Sequence, residues 1–149
     1  MNTRAILAAL ESHALTLGVF DRVNKHEPMN APGNGLTCAI WWLTAAPVAR
    51  ESGLAATSAR LVFMARIYAP DTQPQDDVDP AVLDATDALI RAYSAEFELG
   101  ATVQGVDLLG RHGIPLTAQA GWLDFDDKKY RTADITIPLV VNDLWTQAP

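Results

Sequence analysis

Residues 36–44 read Leu-Thr-Cys-Ala-Ile-Trp-Trp-Leu-Thr, a nearly continuous apolar run entered from a loop, Pro-Met-Asn-Ala-Pro-Gly-Asn-Gly at 28–35, that can hold neither helix nor ladder. A short apolar run bounded in this way reads as a strand covered on both faces. The adjacent Trp41 and Trp42 tighten the constraint, because consecutive strand residues point to opposite sides. Either packing material lies on both faces of this strand, or one indole is left for contact with another subunit, where tryptophan is enriched.

The next segment supplies the partner strand. From 58 to 68, Leu61, Phe63, Ala65 and Ile67 alternate with Val62, Met64, Arg66 and Tyr68, which is period-two patterning with one drier face. The two strands predict an antiparallel hairpin whose long connection, 45–57, carries Pro47, Gly53, Arg50 and Glu51. Two amphipathic helices accompany it. Ile6, Leu7, Leu10, Ala14 and Leu17 recur at helical spacing over 3–17, with Asn2 or Thr3 as N-cap and Gly18 as the stop. The second helix is expected to start at Asp79-Pro80, with Asp79 capping free amides and Pro80 in the first helical position, and to end at Gly100. Its buried stripe is Val82, Thr86, Leu89, Ile90, Tyr93 and Phe97.

Residues 19–26 read as a short polar strand, and 102–108 as a strand interrupted by Gly105. A turn at 110–113 follows. Residues 117–125 and 130–141 flank Asp126-Asp127-Lys128-Lys129 as a second hairpin, with Ile135, Ile137, Leu139 and Val141 on one face. Pro138, on the other face, marks that strand as an edge or a bulge. The expected fold class is α+β, a mostly antiparallel mixed sheet with two helices packed on one face, in a single domain over residues 1–149.

Chemistry is scarce along this chain. His13, His26 and His112 lie in separate elements without metal-ligand spacing to one another or to Cys38. Asp124-Phe125-Asp126-Asp127 resembles a calcium loop only at its start, since Lys129 stands where the sharp-turn glycine belongs and Ile135 where the bidentate glutamate belongs. Gly33-Asn34-Gly35 lacks the remaining residues of a dinucleotide or phosphate loop, and Ser52-Gly53 is not a nucleophile elbow. Cys38 reads as a small buried hydrophobe. No catalytic, cofactor-binding or metal residue is nominated, and no enzyme activity or cofactor is expected. The lone cysteine excludes an internal disulfide.

With 11 basic and 18 acidic side chains the formal charge is −7, which opposes binding nucleic acid or an anionic membrane through phosphates. No apolar run approaches the roughly 20 residues of a membrane span. The apolar stretch after Arg4 ends at Glu11 without a cleavage pattern, so the expectation is a soluble, mature chain.

Phe20-Asp21-Arg22-Val23-Asn24, His26-Glu27-Pro28 and Ala31-Pro32-Gly33-Asn34-Gly35-Leu36, together with the run from Tyr130 to Val141, resemble tail terminator (tail completion) proteins of long-tailed phages infecting actinobacteria. With the order of helices and strands, the resemblance extends over nearly the whole chain. It implies a tail-terminator-like fold and a structural virion protein, assembled in the host cytoplasm. As a homohexameric ring at the head-proximal end of the tail tube, it would stop tube polymerisation and join the tail to a head-tail connector or head-completion protein. Its implied partners are itself, the major tail tube protein and that connector, with DNA passing through the lumen without specific binding and no membrane contact. Six copies at −7 each would carry −42, a charge that repels passing DNA if it lines the lumen.

Neighbour or tube contacts are expected from the loop at 27–36 and the connection at 45–57, since long loops in a small domain are commonly functional. Three rivals stand beside this reading. One is another phage neck or baseplate adaptor. Another is a small α+β enzyme using a pair such as His112 and Asp107. The last is a ligand-binding module lined by the tryptophan-rich strands.

Overall fold

The computed structural model describes residues 3–20, 22–25, 36–47, 56–70, 75–95, 105–106, 115–125 and 128–146. Two helices, α1 (Thr3–Thr16) and α2 (Gln75–Ala95), accompany six strands: β1 (Arg22–Asn24), β2 (Thr37–Pro47), β3 (Ala56–Pro70), β4 (Gly105–Val106), β5 (Thr117–Phe125) and β6 (Lys128–Thr146). The sheet order is β1-β2-β3-β6-β4, with β5 also paired to β6. Only the β1–β2 pair is parallel among these, so the sheet is mixed and mostly antiparallel, and the fold is α+β.

Both helices lie on the same face. Ile6, Leu10 and Ala14 of α1, at the i, i+4 spacing that stacks side chains on one helix face, share a core with Val78, Val82, Ala85, Leu89 and Tyr93 of α2. Cys38 and Ile40 of β2, Leu61 through Ala69 at alternate positions of β3, and Ala133 through Val141 at alternate positions of β6 complete it. The expected alternation in β3 and β6 is thus the pattern observed. α1 ends as expected: Gly18 adopts φ 69°, a left-handed conformation, and its N–H donates to the Leu15 carbonyl at 3.1 Å. The Tyr93 hydroxyl, wholly buried, donates to the Leu10 carbonyl at 2.9 Å and ties the helices together.

α2 departs from its expected start. It begins at Gln75, so Pro80 lies inside it and Asp79 is not an N-cap. Burial explains the extension, because Val78 sits one turn before Val82 and is drawn into the same core. Pro80 forgoes a single helical bond, to Asp76, near the helix start. Asp79 is instead ion-paired with Arg131 of β6 at 3.0 Å.

β6 corrects the reading of Pro138. The strand is interior, paired along one side with β3 and along the other with β5 and then β4. Pro138 is paired with Val62, and on the opposite side it falls between Thr136, the last partner of β5, and Leu139, the first partner of β4. On that side Pro138 has no ladder partner among the described residues, so a nitrogen facing it would lose no ladder bond. The second hairpin is also tighter than expected, since β6 starts at Lys128 and the register pairs Phe125 with Lys128.

β2 is covered on both faces only in its first half. Thr37 through Ile40 are buried, whereas Trp42 through Ala45 are exposed. A register shift between Trp42 and Thr44 marks the change, leaving Leu43 as the extra residue of a bulge. The loop at 28–35, the hairpin tip at 48–55, Phe97, Gly100 and the turn at 110–113 lie outside the described residues.

Candidate functional site

At one edge of the sheet, β1 pairs only Thr37, Cys38 and Ala39 of β2. Beyond them, from Ile40 to Pro47, β2 has no ladder partner on that side among the described residues. Trp42, in register with Phe63 and so on the helix side, is 59% exposed, and Leu43 at the bulge is 47% exposed. Trp41 takes the other face, as alternation requires, where it is half-buried. Of the two adjacent indoles, one is therefore packed and one presented.

At the opposite edge, β5 is bonded only to β6 among the described residues, and Thr117, Ala118, Gln119 and Ala120 are exposed. Between β5 and α2 runs a groove of about 550 Å³, lined by Val82, Leu83, Thr86, Ala118 and Ala120 among others. Leu83 on its rim is 69% exposed. Arg131 closes one end: it pairs with Asp79, donates to the Gly121 carbonyl at 3.2 Å, and lies 4.8 Å from the centre of the Trp122 ring. Lys129 approaches the same indole at 4.8 Å, so Trp122 is held between cations.

The sheet face away from the helices holds a second constellation. Arg66 and Asp134, opposite each other on β3 and β6, form a two-pronged pair with Nε–Oδ1 2.6 Å and Nη2–Oδ2 3.2 Å. The guanidinium lies 5.3 Å from the Trp41 ring and 5.9 Å from the Tyr68 ring. Burial opposes its charge, and hydrogen bonds to Asp134 and Tyr68 outweigh that, leaving its pKa raised. Tyr68 and Tyr130 meet edge-on at 6.3 Å, packed with Ala39, Trp41 and Leu123. This group orients the strands and leaves no open acid or base.

The residues weighed for chemistry are scattered. His13 Nδ1 donates to the Ala9 carbonyl at 2.8 Å and its ring packs obliquely on Tyr93 at 6.0 Å, the environment of a boundary residue. Cys38 is fully buried, and desolvation pushes its thiol up to about 12, so it is a hydrophobe and not a nucleophile. Asp124 is exposed on β5. His26, Ser52, Asp107, His112, residues 33–35 and 126–127, and the Trp145 side chain lie outside the described residues. Among those described, no group of three or more His, Cys, Asp or Glu could hold a metal ion, and no helix is long and apolar enough to cross a membrane.

Sequence reasoning missed the groove and both arginine centres. Ala118 and Ala120 give no local sign that they line a groove, since that depends on where α2 lies. Arg66 and Asp134 did leave a signal: each is a charge set directly between apolar residues of an alternating strand, Arg66 between Ala65 and Ile67 and Asp134 between Ala133 and Ile135.

No family model matches the sequence, and no curated protein matches it. Among solved structures, the chain is similar to the sheath/tube terminator of an extracellular contractile injection system, PVC, in its extended state, with TM-score 0.49 and 10% identity. That match takes in 100% of this chain and 60% of the other, so the chain spans less than two thirds of that structure's length.

Proposed function

We propose that this chain is a structural virion protein that closes into a homohexameric ring at the head-proximal end of a phage tail tube. There it ends tube polymerisation and joins the tail to a connector or head-completion protein. The observation that carries the reading is the pair of apolar edges, on opposite sides of one sheet, that no other strand among the described residues pairs with. Natural monomers blunt such edges with charge, proline or cover, so an edge left open is suited to continuation by another chain. Different surfaces at the two ends suit head-to-tail contacts, which form a ring when the rotation closes.

The resemblance of residues 20–36 and 130–141 to tail terminator proteins of actinobacterial phages supports this identity for the assembly, with residues 1–149 acting as one domain. In this reading the ring is built in the host cytoplasm and carried in the virion. It contacts the tail tube protein below and the connector above. At −7 per copy, its acidic balance lets DNA pass by repulsion, without specific binding. The role uses no catalytic group and no cofactor.

Solution mass together with negative-stain images, of the chain alone and mixed with its tube protein, tests the proposal. A six-fold ring with an open lumen is the expected result; a monomer or compact dimer in both samples overturns it. Removing residues 49–55 should leave a folded monomer and abolish joining of tails to heads. Normal-length tails on infectious particles carrying that deletion would count against a contact role for the hairpin tip.

A further inference from the structure

The two open edges differ in shape, direction and charge, and the differences are complementary. The free stretch of β2 is bulky, presenting Trp42 and Leu43 beside a bulge, while the free β5 edge is small, with Ala118 and Ala120 bordering the α2 groove. Neither stretch carries a charge between Ile40 and Ala46 or between Thr117 and Leu123. Directions agree as well. β2, β3, β6 and β5 alternate in sense, so β5 runs opposite to β2. A second copy set beside β5 with its helices on the same side of the sheet brings its β2 antiparallel to β5. It also brings Trp42, a helix-side residue, to the face that holds the groove.

Charge points the same way. Around β1 and the start of α1, Arg4, Arg22 and Lys25 are exposed, with Glu11 3.7 Å from Lys25. α2, beside the groove, carries the exposed Asp79, Asp84 and Asp87 against Arg91, with Asp79 paired to Arg131 of β6. A basic end meeting an acidic end fixes polarity and favours head-to-tail contact over head-to-head.

We infer that the joint between copies is made by β2 of one chain docking antiparallel onto β5 of the next, with Trp42 and Leu43 seated in the groove between α2 and β5. The occupant of the groove is thus a second copy of this chain. The inference rests on the ring reading for closure, but the joint itself does not require six subunits. Trp42 is the anchor, a large aromatic set among Val82, Ala118 and Ala120, with Leu83 on the rim and the charged Asp79, Asp84 and Arg131 also lining the groove.

The experiment places the photoreactive amino acid benzoylphenylalanine at position 42 of the full chain, irradiates it at increasing protein concentration, and maps the cross-linked peptides by mass spectrometry. Native mass is measured in parallel, and so is the association of Trp42→Ala. Within one chain β2 and β5 are separated by two strands, roughly 14 Å at the usual strand spacing, so the β2–β5 adducts are expected between chains. The expected result is intermolecular adducts at residues 79–86 and 117–123, with association of Trp42→Ala weakened roughly thirtyfold and its melting temperature unchanged. Adducts at those sites in a particle that stops at a dimer keep the joint and overturn the ring. A hexamer whose adducts map elsewhere keeps the ring and overturns the joint. A chain that stays monomeric without adducts, alone and with its tube protein, overturns both.

Discussion

On the helix side, β3 and β6 present Leu61, Phe63, Ala65, Ile67, Ile135, Ile137 and Leu139; on the opposite side the same two strands present Arg66, Tyr68, Tyr130, Thr132 and Asp134. Both sets are largely buried, so burial is not what separates them. The helix side is filled by shape, with aliphatic side chains interlocking against α1 and α2 in a way that tolerates no void. The far side is held by direction: a two-pronged ion pair, an edge-on tyrosine pair and a guanidinium between aromatic rings. Alternation along a strand therefore reports which face the helices choose, and says little about whether the other face is wet.

If that division is right, truncation on the helix side has the larger effect. Ile137→Ala should lower stability by about 2–5 kcal/mol, read from the midpoint of urea unfolding, because the site is fully buried at the centre of the sheet. A loss below about 1 kcal/mol would show that this face packs loosely. Arg66→Ala on the far face should remove about 1–3 kcal/mol, since it leaves Asp134 without its pair and Trp41 without its cation. Combining it with Asp134→Ala should recover part of that loss. Strict additivity in the cycle would mean that the pair sets no strand orientation.

Alkali probes the helix side a second way. Burial raises the thiol of Cys38 to about 12, and burial followed by the nearby Cys38 raises the Tyr93 hydroxyl. Above about pH 9 the unfolded chain releases these protons first, so it binds fewer than the native state and stability falls as pH rises. For Cys38 the slope approaches 1.4 kcal/mol per pH unit between about 9 and 12. Cys38→Ala should flatten it, whatever its effect at neutral pH. The smallest effect belongs to neither face: Arg91→Ala breaks an exposed pair with Asp87 at 2.6 Å and should change stability by no more than about 0.5 kcal/mol.

What could be read from residue order is what local physics controls. The stripe of α1, its glycine stop and the alternation of β3 and β6 are periodic signals, and the structure follows them. The start of α2 could not be read, because Asp79-Pro80 is a strong local signal that the burial of Val78 overrides. Pro138 was a sound warning about ladder bonds, but only the register shows that β5 ends just before it and β4 begins just after it. For the candidate site, the exposed indole beside a buried one was legible from Trp41-Trp42. The groove was not, since residues from α2 and β5 meet there only through β6.

The interior position of β6 has a consequence for how the protein is made. It is the strand that pairs with β3, β5 and β4, and it follows all of them in the sequence. During synthesis the β2–β3 hairpin and both helices emerge with the flank of β3 unsatisfied, exposing Phe63, Ala65 and Ile67 until β6 arrives. Closure is then a long-range encounter and not the zipping of neighbours, a slow kind of step that leaves nascent chains prone to stick to one another. A chain of this design leaves its interior incomplete until β6 is released. The β5 edge therefore takes its final form only after β6, the strand it pairs with, is in place.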